Sequence, residues 1–536
     1  MDIRKITFNE RYWEYFIPAL AVASLLISCA VVSSRKFFWN DELLSFYLLN
    51  DPSLPHMLVA WSDKFNQAPP LYFIIGWVWD KIFGSSFGSI ELSLRLFSGV
   101  TITIAYIMIW TVLRRTYNFW SVTVGTTSIF CLSELVLYHN AELRMYGLFA
   151  AVCAFGCLQY DSLNRKREYT FTSLLINTLA HAAIVLTHLY GILYSTAVLA
   201  SFLTYDKYIG TFRKKLYLSV LAGWMILLPL VPLIINQSNN GAKWFYTYSL
   251  SEAIDLLTPF PKFVWFILGL LTISALLSIL KSTEKIISKP SFVSQLDHGE
   301  ISLLILSIFF LLVPLGAWII TVTVKPLLND RYILPTITVS WSILLTYLIS
   351  KMISAPEALS SRERNRERNR FSYSTLRSIA LLALTLTIIL YPLYYARKFP
   401  EYSQKPGAND LSYGYPELPI AMEAGHDFLP RFYYSSKPSR YFHILDWETA
   451  TKNVTSAYAT GDYVHLNAIS THYSFIQSVQ SSNFLEEHDQ FLVLNEADQK
   501  WFEERVQNNP DYQIQELGTE QGANDLLTMF FVRRKE

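Results

Sequence analysis

The sequence predicts an all-α polytopic membrane domain followed by a small α/β domain. Three features carry that expectation. Hydrophobic residues make up 52% of the chain against 16% charged, apolar runs approaching the ~20 residues that span a bilayer recur along it, and from about Arg397 the pattern turns polar, mixed and turn-rich. A soluble domain of average composition and a disordered chain are both excluded by this balance. The net charge of +1 offers nothing to a polyanion, which excludes nucleic acid as a partner.

The first apolar run, from about Tyr15 to Ser34, follows Arg4, Lys5 and Arg11. Its length and the lack of a small-x-small cleavage site read as a retained anchor rather than a signal peptide. Further spans are expected near Leu92–Leu113, Trp120–Leu137, Tyr146–Tyr160, Thr172–Leu186, Ile192–Thr204, Leu216–Ile235, Phe263–Leu280, Ile301–Val322, Ile333–Ile349 and Ile379–Tyr395. The expected total is about eleven transmembrane helices. Cys29, Cys131, Cys153 and Cys157 all fall within apolar runs and read as small core residues.

Basic loops set the orientation. A cytoplasmic N-terminus sends Arg114-Arg115, Arg165-Lys166-Arg167, Arg213-Lys214-Lys215 and the tract "RERNRERNR" to one side, as the positive-inside rule requires. Asp41 and Glu42 then lie outside, in a long aromatic loop from about Arg35 to Glu91 whose short helices are expected to lie along the interface. "YHNAELRMYG", "NQSNNGAKWFYTYSLSEAIDLL" and "VKPLLNDRYILP" face the same side. The expected domains are 1–396, membrane-embedded, and 397–536, external, the latter roughly 140 residues and long enough for a domain of its own.

These outer segments gather a particular chemistry. Asp41 and Glu42 follow the first helix, and Arg144 and Arg331 each stand beside a tyrosine where a helix meets the outer surface. Guanidinium groups bind a lipid phosphate through paired hydrogen bonds and neutralise charge on a departing phosphate. A nearby carboxylate deprotonates an incoming hydroxyl or amine. Together they suit transfer of a sugar from a lipid phosphate. For any one of these residues taken alone, helix capping or snorkelling to the interface is the competing explanation.

At these residues the chain resembles the GT-C superfamily of integral-membrane glycosyltransferases, in particular the branch with protein O-mannosyltransferases and lipid A aminoarabinose transferases. The likeness lies in an order of short motifs along about 300 residues: "DE" after the first helix, Pro-Pro-Leu-Tyr in the same loop, "E-x-R-M-Y" after the third, "THLYG" at the fifth, and "RYILP" opening a late helix. The resemblance implies an inverting transfer from a polyprenyl-phosphate sugar donor, with Asp41 as catalytic base and Glu42 supporting it. It implies that Arg144 and Arg331 contact the donor phosphate and that Tyr146 and Tyr332 shape the cavity. His188 is a further candidate, although a histidine at a helix end is often a structural hydrogen-bonder. Family enzymes commonly carry His or Lys before the proline pair; here Ala68 precedes Pro69 and Pro70, which speaks against a phosphate or metal role for that loop.

No metal ligands are assigned and no cofactor is specified, and whether a divalent cation assists stays open. The acceptor, whether protein, lipid or glycan, and the sugar are equally open. The expected location is the inner (plasma) membrane, multi-pass, with the site and the C-terminal domain on the external or periplasmic side. Two other classes share this hydropathy. A transporter or flippase would place ionisable residues at mid-membrane in broken helices, and a noncatalytic scaffold would not need the acids and arginines to converge.

Overall fold

The computed structural model describes residues 10–65, 68–166, 168–238, 248–256, 259, 269, 297–323, 328–360, 367–410, 413–452, 459–497, 499–522 and 526–536. Apart from Gly269, the expected span Phe263–Leu280 lies outside the described residues, as do the aromatics Trp244 to Tyr246 and the Asn453-Val454-Thr455 sequon. The chain divides into two compact units. One comprises Met1–Val32, Arg95–Leu228 and Thr247–Phe399, the other Ser33–Leu94, Pro229–Tyr246 and Pro400–Glu536.

The first unit is helical. Among the described residues of the whole chain, six helices are long and apolar enough to cross a membrane: Tyr12–Ser33, Ile90–Arg114, Lys214–Ile235, His298–Thr323, Thr336–Ile353 and Ser378–Lys398. They make the chain a multi-pass membrane protein. Helices also occupy the other expected segments that are described, and among the described residues the expected count of about eleven is not confirmed. Phe171–Thr187 is shorter than these six, and Tyr146–Asn164 and Gly191–Ile209 are diluted by Ser, Thr, Asp and Asn.

The span expected at Trp120–Leu137 is broken. Ser133 adopts an extended conformation (φ −71°, ψ 115°), and its hydroxyl accepts the Val136 N–H to start a new helix, Glu134–Asn140. The pair Phe119–Leu132 and Glu134–Asn140 is bent by 66°; counted as one span, it raises the number to seven. A serine that satisfies an orphan N–H at a helix start gives the chain a reason to stop one helix and begin another.

Helix packing in this unit uses small residues. At Gly125 a Cβ would stand 2.8 Å from the Thr346 backbone nitrogen, and at Gly147 it would stand 2.9 Å from the Ser98 carbonyl oxygen. Each glycine therefore sets a backbone approach that no larger residue allows. Cys29 packs with Val32, Ala141, Ala396 and Phe399 in one apolar cluster, and all four cysteines are buried.

The second unit holds the loop after the first helix together with the C-terminal region. Helices Asn40–Leu49, Leu54–Ala60 and Leu71–Phe83 form the former. Pro70 immediately precedes the last of these, where a fixed φ suits a helix start, and the Trp61 indole donates to the Ala68 carbonyl at 2.8 Å. Thus "APPLYF" is a turn and a helix start. The Tyr473 hydroxyl donates to Asp51 Oδ2 at 2.7 Å, and the Phe38 N–H donates to the Tyr434 hydroxyl at 2.8 Å.

The C-terminal region is α/β. Strands β1 (Ile420–Met422), β2 (Tyr441–Ile444), β3 (Ser478–Val479), β4 (Gln490–Glu496), β5 (Tyr512–Gln521) and β6 (Leu526–Arg534) form one sheet. Its order is β3-β2-β1-β4-β6-β5. β1 runs parallel to β2 and β4, with Ile420 opposite Tyr441 and Leu492, and β6 runs antiparallel to β4 and β5. Ala421, Ile444, Phe484, Phe491, Val493, Phe502 and Val532 share its apolar core.

Candidate active site

The arginine and tyrosine candidates stand on turns that their neighbours hold in place. Arg144 and Tyr146 follow the short helix Glu134–Asn140, in a turn where the Ser98 hydroxyl donates to the Glu142 carbonyl at 2.5 Å. Gly147, pressed onto Ser98, fixes the start of helix Tyr146–Asn164. Arg331 lies in the 3₁₀ turn Asp330–Ile333; its N–H donates to Asp330 Oδ1 at 2.7 Å and to Asn329 Oδ1 at 3.2 Å. The Tyr194 hydroxyl donates to the Tyr332 carbonyl at 3.0 Å. Both turns belong to the first unit.

Aromatic rings join these turns to His188. The His188 ring centroid lies 4.5 Å from that of Tyr332 and 6.2 Å from that of Tyr146, and Tyr146 and Tyr332 are 6.3 Å apart. Tyr190 packs 4.7 Å from Tyr332. Desolvation by the surrounding rings raises the Tyr332 phenol well above its ordinary value; Tyr146 adds to this, while Arg331 and Arg144 both pull it down. Burial, followed by the charge of Arg144, pushes His188 down to about 3, so the imidazole is neutral at ordinary pH.

Two residues that the sequence analysis left without roles take part here. His139 Nδ1 pairs with Glu142 Oε2, both side chains being buried, and the His139 ring lies 4.7 Å from Tyr146. Glu142 is the acidic residue of the "E-x-R-M-Y" stretch, so its acid was visible; its partner, three residues earlier, carried no pattern that marks it.

The acids belong to the second unit, in helix Asn40–Leu49, where both occupy the first turn. They differ. Glu42 is fully buried, with the buried Lys36 ammonium 3.8 Å away. Asp41 is half-buried, and its carbonyl accepts the Ser45 hydroxyl at 3.2 Å. Lys36 was also missed, although it stands in the basic pair just outside the first helix.

A polytopic helical region and a small α/β region make up the fold. Among solved structures the chain is similar to ArnT from Cupriavidus metallidurans bound to undecaprenyl phosphate, at 12% identity and a TM-score of 0.52, over 97% of this chain and 98% of that one. The apo form of the same protein gives 11% identity and a TM-score of 0.54 over the same shares. At such identity the likeness is one of fold. No protein-family model matches the sequence, and no curated protein matches it.

Proposed function

We propose that this protein is an integral-membrane glycosyltransferase that moves a sugar from a polyprenyl-phosphate donor to an acceptor at the external face of the membrane. The observation that carries the reading is the cluster in the first unit, in which Tyr146, His188 and Tyr332 pack together on the turns that carry Arg144 and Arg331. Two guanidinium groups near a neutral donor suit an oxyanion that gains charge as a bond breaks. Support also comes from the fold shared with a protein whose structure holds undecaprenyl phosphate.

In this reading Arg144 and Arg331 hold the donor phosphate, Tyr146 and Tyr332 shape the pocket and His188 donates a hydrogen bond. Asp41 takes the proton from the acceptor as the acceptor oxygen or nitrogen attacks the anomeric carbon from the face opposite the leaving phosphate, inverting the configuration. Glu42 supports Asp41 by setting the start of its helix through the Lys36 pair. The external site follows the orientation set by the basic loops, which also places the C-terminal region outside.

The test has two parts. Mass spectrometry of envelope glycans, lipids and proteins from a deletion strain should show one sugar lost from one acceptor class. Purified protein with the corresponding polyprenyl-phosphate sugar should restore that product in vitro. A strain whose envelope composition is unchanged, together with no donor turnover by the purified protein, overturns the reading.

A further inference from the structure

A second cluster of titratable groups lies at the C-terminal ends of the parallel strands in the second unit. His426 and Asp427 follow β1 in the first turns of helix Gly425–Tyr434, and Glu496 closes β4. All three side chains are buried. One potential ligand atom from each lies within 4.8 Å of the others. His426 Nε2 is 2.8 Å from Glu496 Oε1 and 3.6 Å from Asp427 Oδ2.

Position in the sheet gives this cluster a meaning. In the order β3-β2-β1-β4, the strands after β1 proceed to one side and β4 returns to the other. The crevice between β1 and β4 is therefore the topological switch point, where open α/β sheets bind ligands outside their carboxyl ends. His426 and Asp427 come from one lip of that crevice and Glu496 from the other.

Two side chains at the same strand ends hold buried polar atoms without a partner among the described residues, although Glu423 Oε1 accepts from the Asn495 amide at 2.8 Å and the Phe502 N–H at 2.9 Å. Among the described residues, the fully buried Glu423 has no hydrogen-bond partner at Oε2, and the buried Gln499, whose N–H donates to the Glu496 carbonyl, has none at either end of its amide. Unsatisfied polar groups in an interior are costly.

Charge narrows the occupant. Arg431 faces three buried carboxylates, those of Asp427 at 2.7 Å, Asp410 at 3.6 Å and Glu520, so its single charge is already shared before Glu496 is considered. A divalent cation would add two positive charges and supply each carboxylate with a ligand bond. We propose that His426, Asp427 and Glu496 form a divalent-cation site of the zinc class, with at least one coordination position left for water or another oxygen ligand. One imidazole and two carboxylates are ligands zinc accepts, and at bond lengths of 2.0–2.2 Å in tetrahedral geometry they stand about 3.4 Å apart. The observed 2.8 and 3.6 Å to His426 Nε2 bracket that spacing, and all three ligand atoms lie within 4.8 Å of one another. The site stands independently of the glycosyl-transfer reading.

The test uses full-length protein in detergent, stripped with chelator and reloaded with Zn²⁺. Elemental analysis after desalting should find one zinc per chain, and His426→Gln and Glu496→Gln should each weaken zinc binding at least tenfold. X-ray absorption of the zinc-loaded wild-type protein keeps the proposal decidable if either variant fails to fold: it should show a single imidazole among oxygen ligands. Wild-type protein that retains no zinc, a shell with two or more imidazoles or any sulfur, or folded variants that bind zinc as the wild type does, each overturns the site.

Discussion

The Tyr190 N–H donates to His188 Nδ1 at 3.1 Å, and this bond fixes the tautomer of the imidazole beside Tyr332. With Nδ1 accepting, the hydrogen of the neutral ring sits on Nε2. His188 therefore offers a donor and no base.

Its protonation leads to the first prediction. The folded value of about 3 lies below the ordinary 6.5, so within that window the unfolded chain binds a proton that the folded chain excludes, and stability is lost as pH falls from about 6.5 toward 3. His188→Asn removes this contribution, and its melting midpoint in detergent should fall less steeply than the wild type's on acidification. The wild-type rate should show no step near pH 6.5 traceable to His188. Donor affinity in the variant should drop about 2–10-fold, the worth of one neutral hydrogen bond.

The two neighbouring acids separate by environment, and their variants should separate by readout. Asp41→Asn keeps shape, loses the base, and should reduce turnover about 10²–10⁴-fold with donor binding and melting midpoint near wild type. Glu42→Gln leaves the buried Lys36 ammonium without its nearby carboxylate, so its main effect should be on stability, a loss of about 3 kcal/mol. Adding Lys36→Met should recover part of that loss. Near-normal turnover in Asp41→Asn removes the base assignment, and an unchanged midpoint in Glu42→Gln removes the structural one.

Gly147 links helix packing to the arginine turn. A methyl there would stand 2.7 Å from Thr101 Oγ1 and 2.9 Å from the Ser98 carbonyl oxygen, and Ser98 also holds the Glu142 carbonyl. Gly147→Ala should cost about 1–3 kcal/mol as overpacking. It should also weaken donor binding, because the turn carrying Arg144 must shift. Gly316→Ala, whose added carbon meets no atom within 4 Å beyond its own helix backbone among the described residues, is the control and should leave donor binding unchanged.

How much of this was visible in the sequence follows the range of the interactions. Apolar runs report burial locally, so the described spans fall near their expected places, and the proline pair before Leu71 marked a helix start. The break at Ser133 was hidden because hydropathy averages across one residue whose hydroxyl reverses the local preference. The Lys36–Glu42 and His139–Glu142 pairs are close in sequence, yet neither matches a motif, since ion pairing depends on where side chains point. The sheet order rests on β1 meeting β4 about 70 residues later, and strand patterning fixes no such pairing. His426, Asp427 and Glu496 were missed for that reason: two stand together and the third arrives only through the fold.

The last prediction concerns Arg331 and distinguishes phosphate binding from scaffolding. Its turn is held by backbone contacts, the Arg331 N–H to Asn329 and Asp330 and the Tyr332 carbonyl to Tyr194, none of which needs the guanidinium. Arg331→Ala is read against its melting midpoint, so that a loss of binding in folded protein is separated from a loss of fold. If the side chain binds the donor phosphate, affinity for the polyprenyl-phosphate donor should drop about 10–150-fold, the equivalent of a charge-assisted hydrogen bond worth roughly 1.5–3 kcal/mol. Arg331→Lys should recover only part of it, because an ammonium keeps the charge but lacks the planar fork that grips two oxygens at once. Binding measured by microscale thermophoresis with the lipid phosphate alone, alongside turnover and melting midpoint, reads all three quantities. Unchanged affinity in folded Arg331→Ala assigns the phosphate to Arg144 without Arg331, and full rescue by lysine replaces paired hydrogen bonding with simple charge attraction.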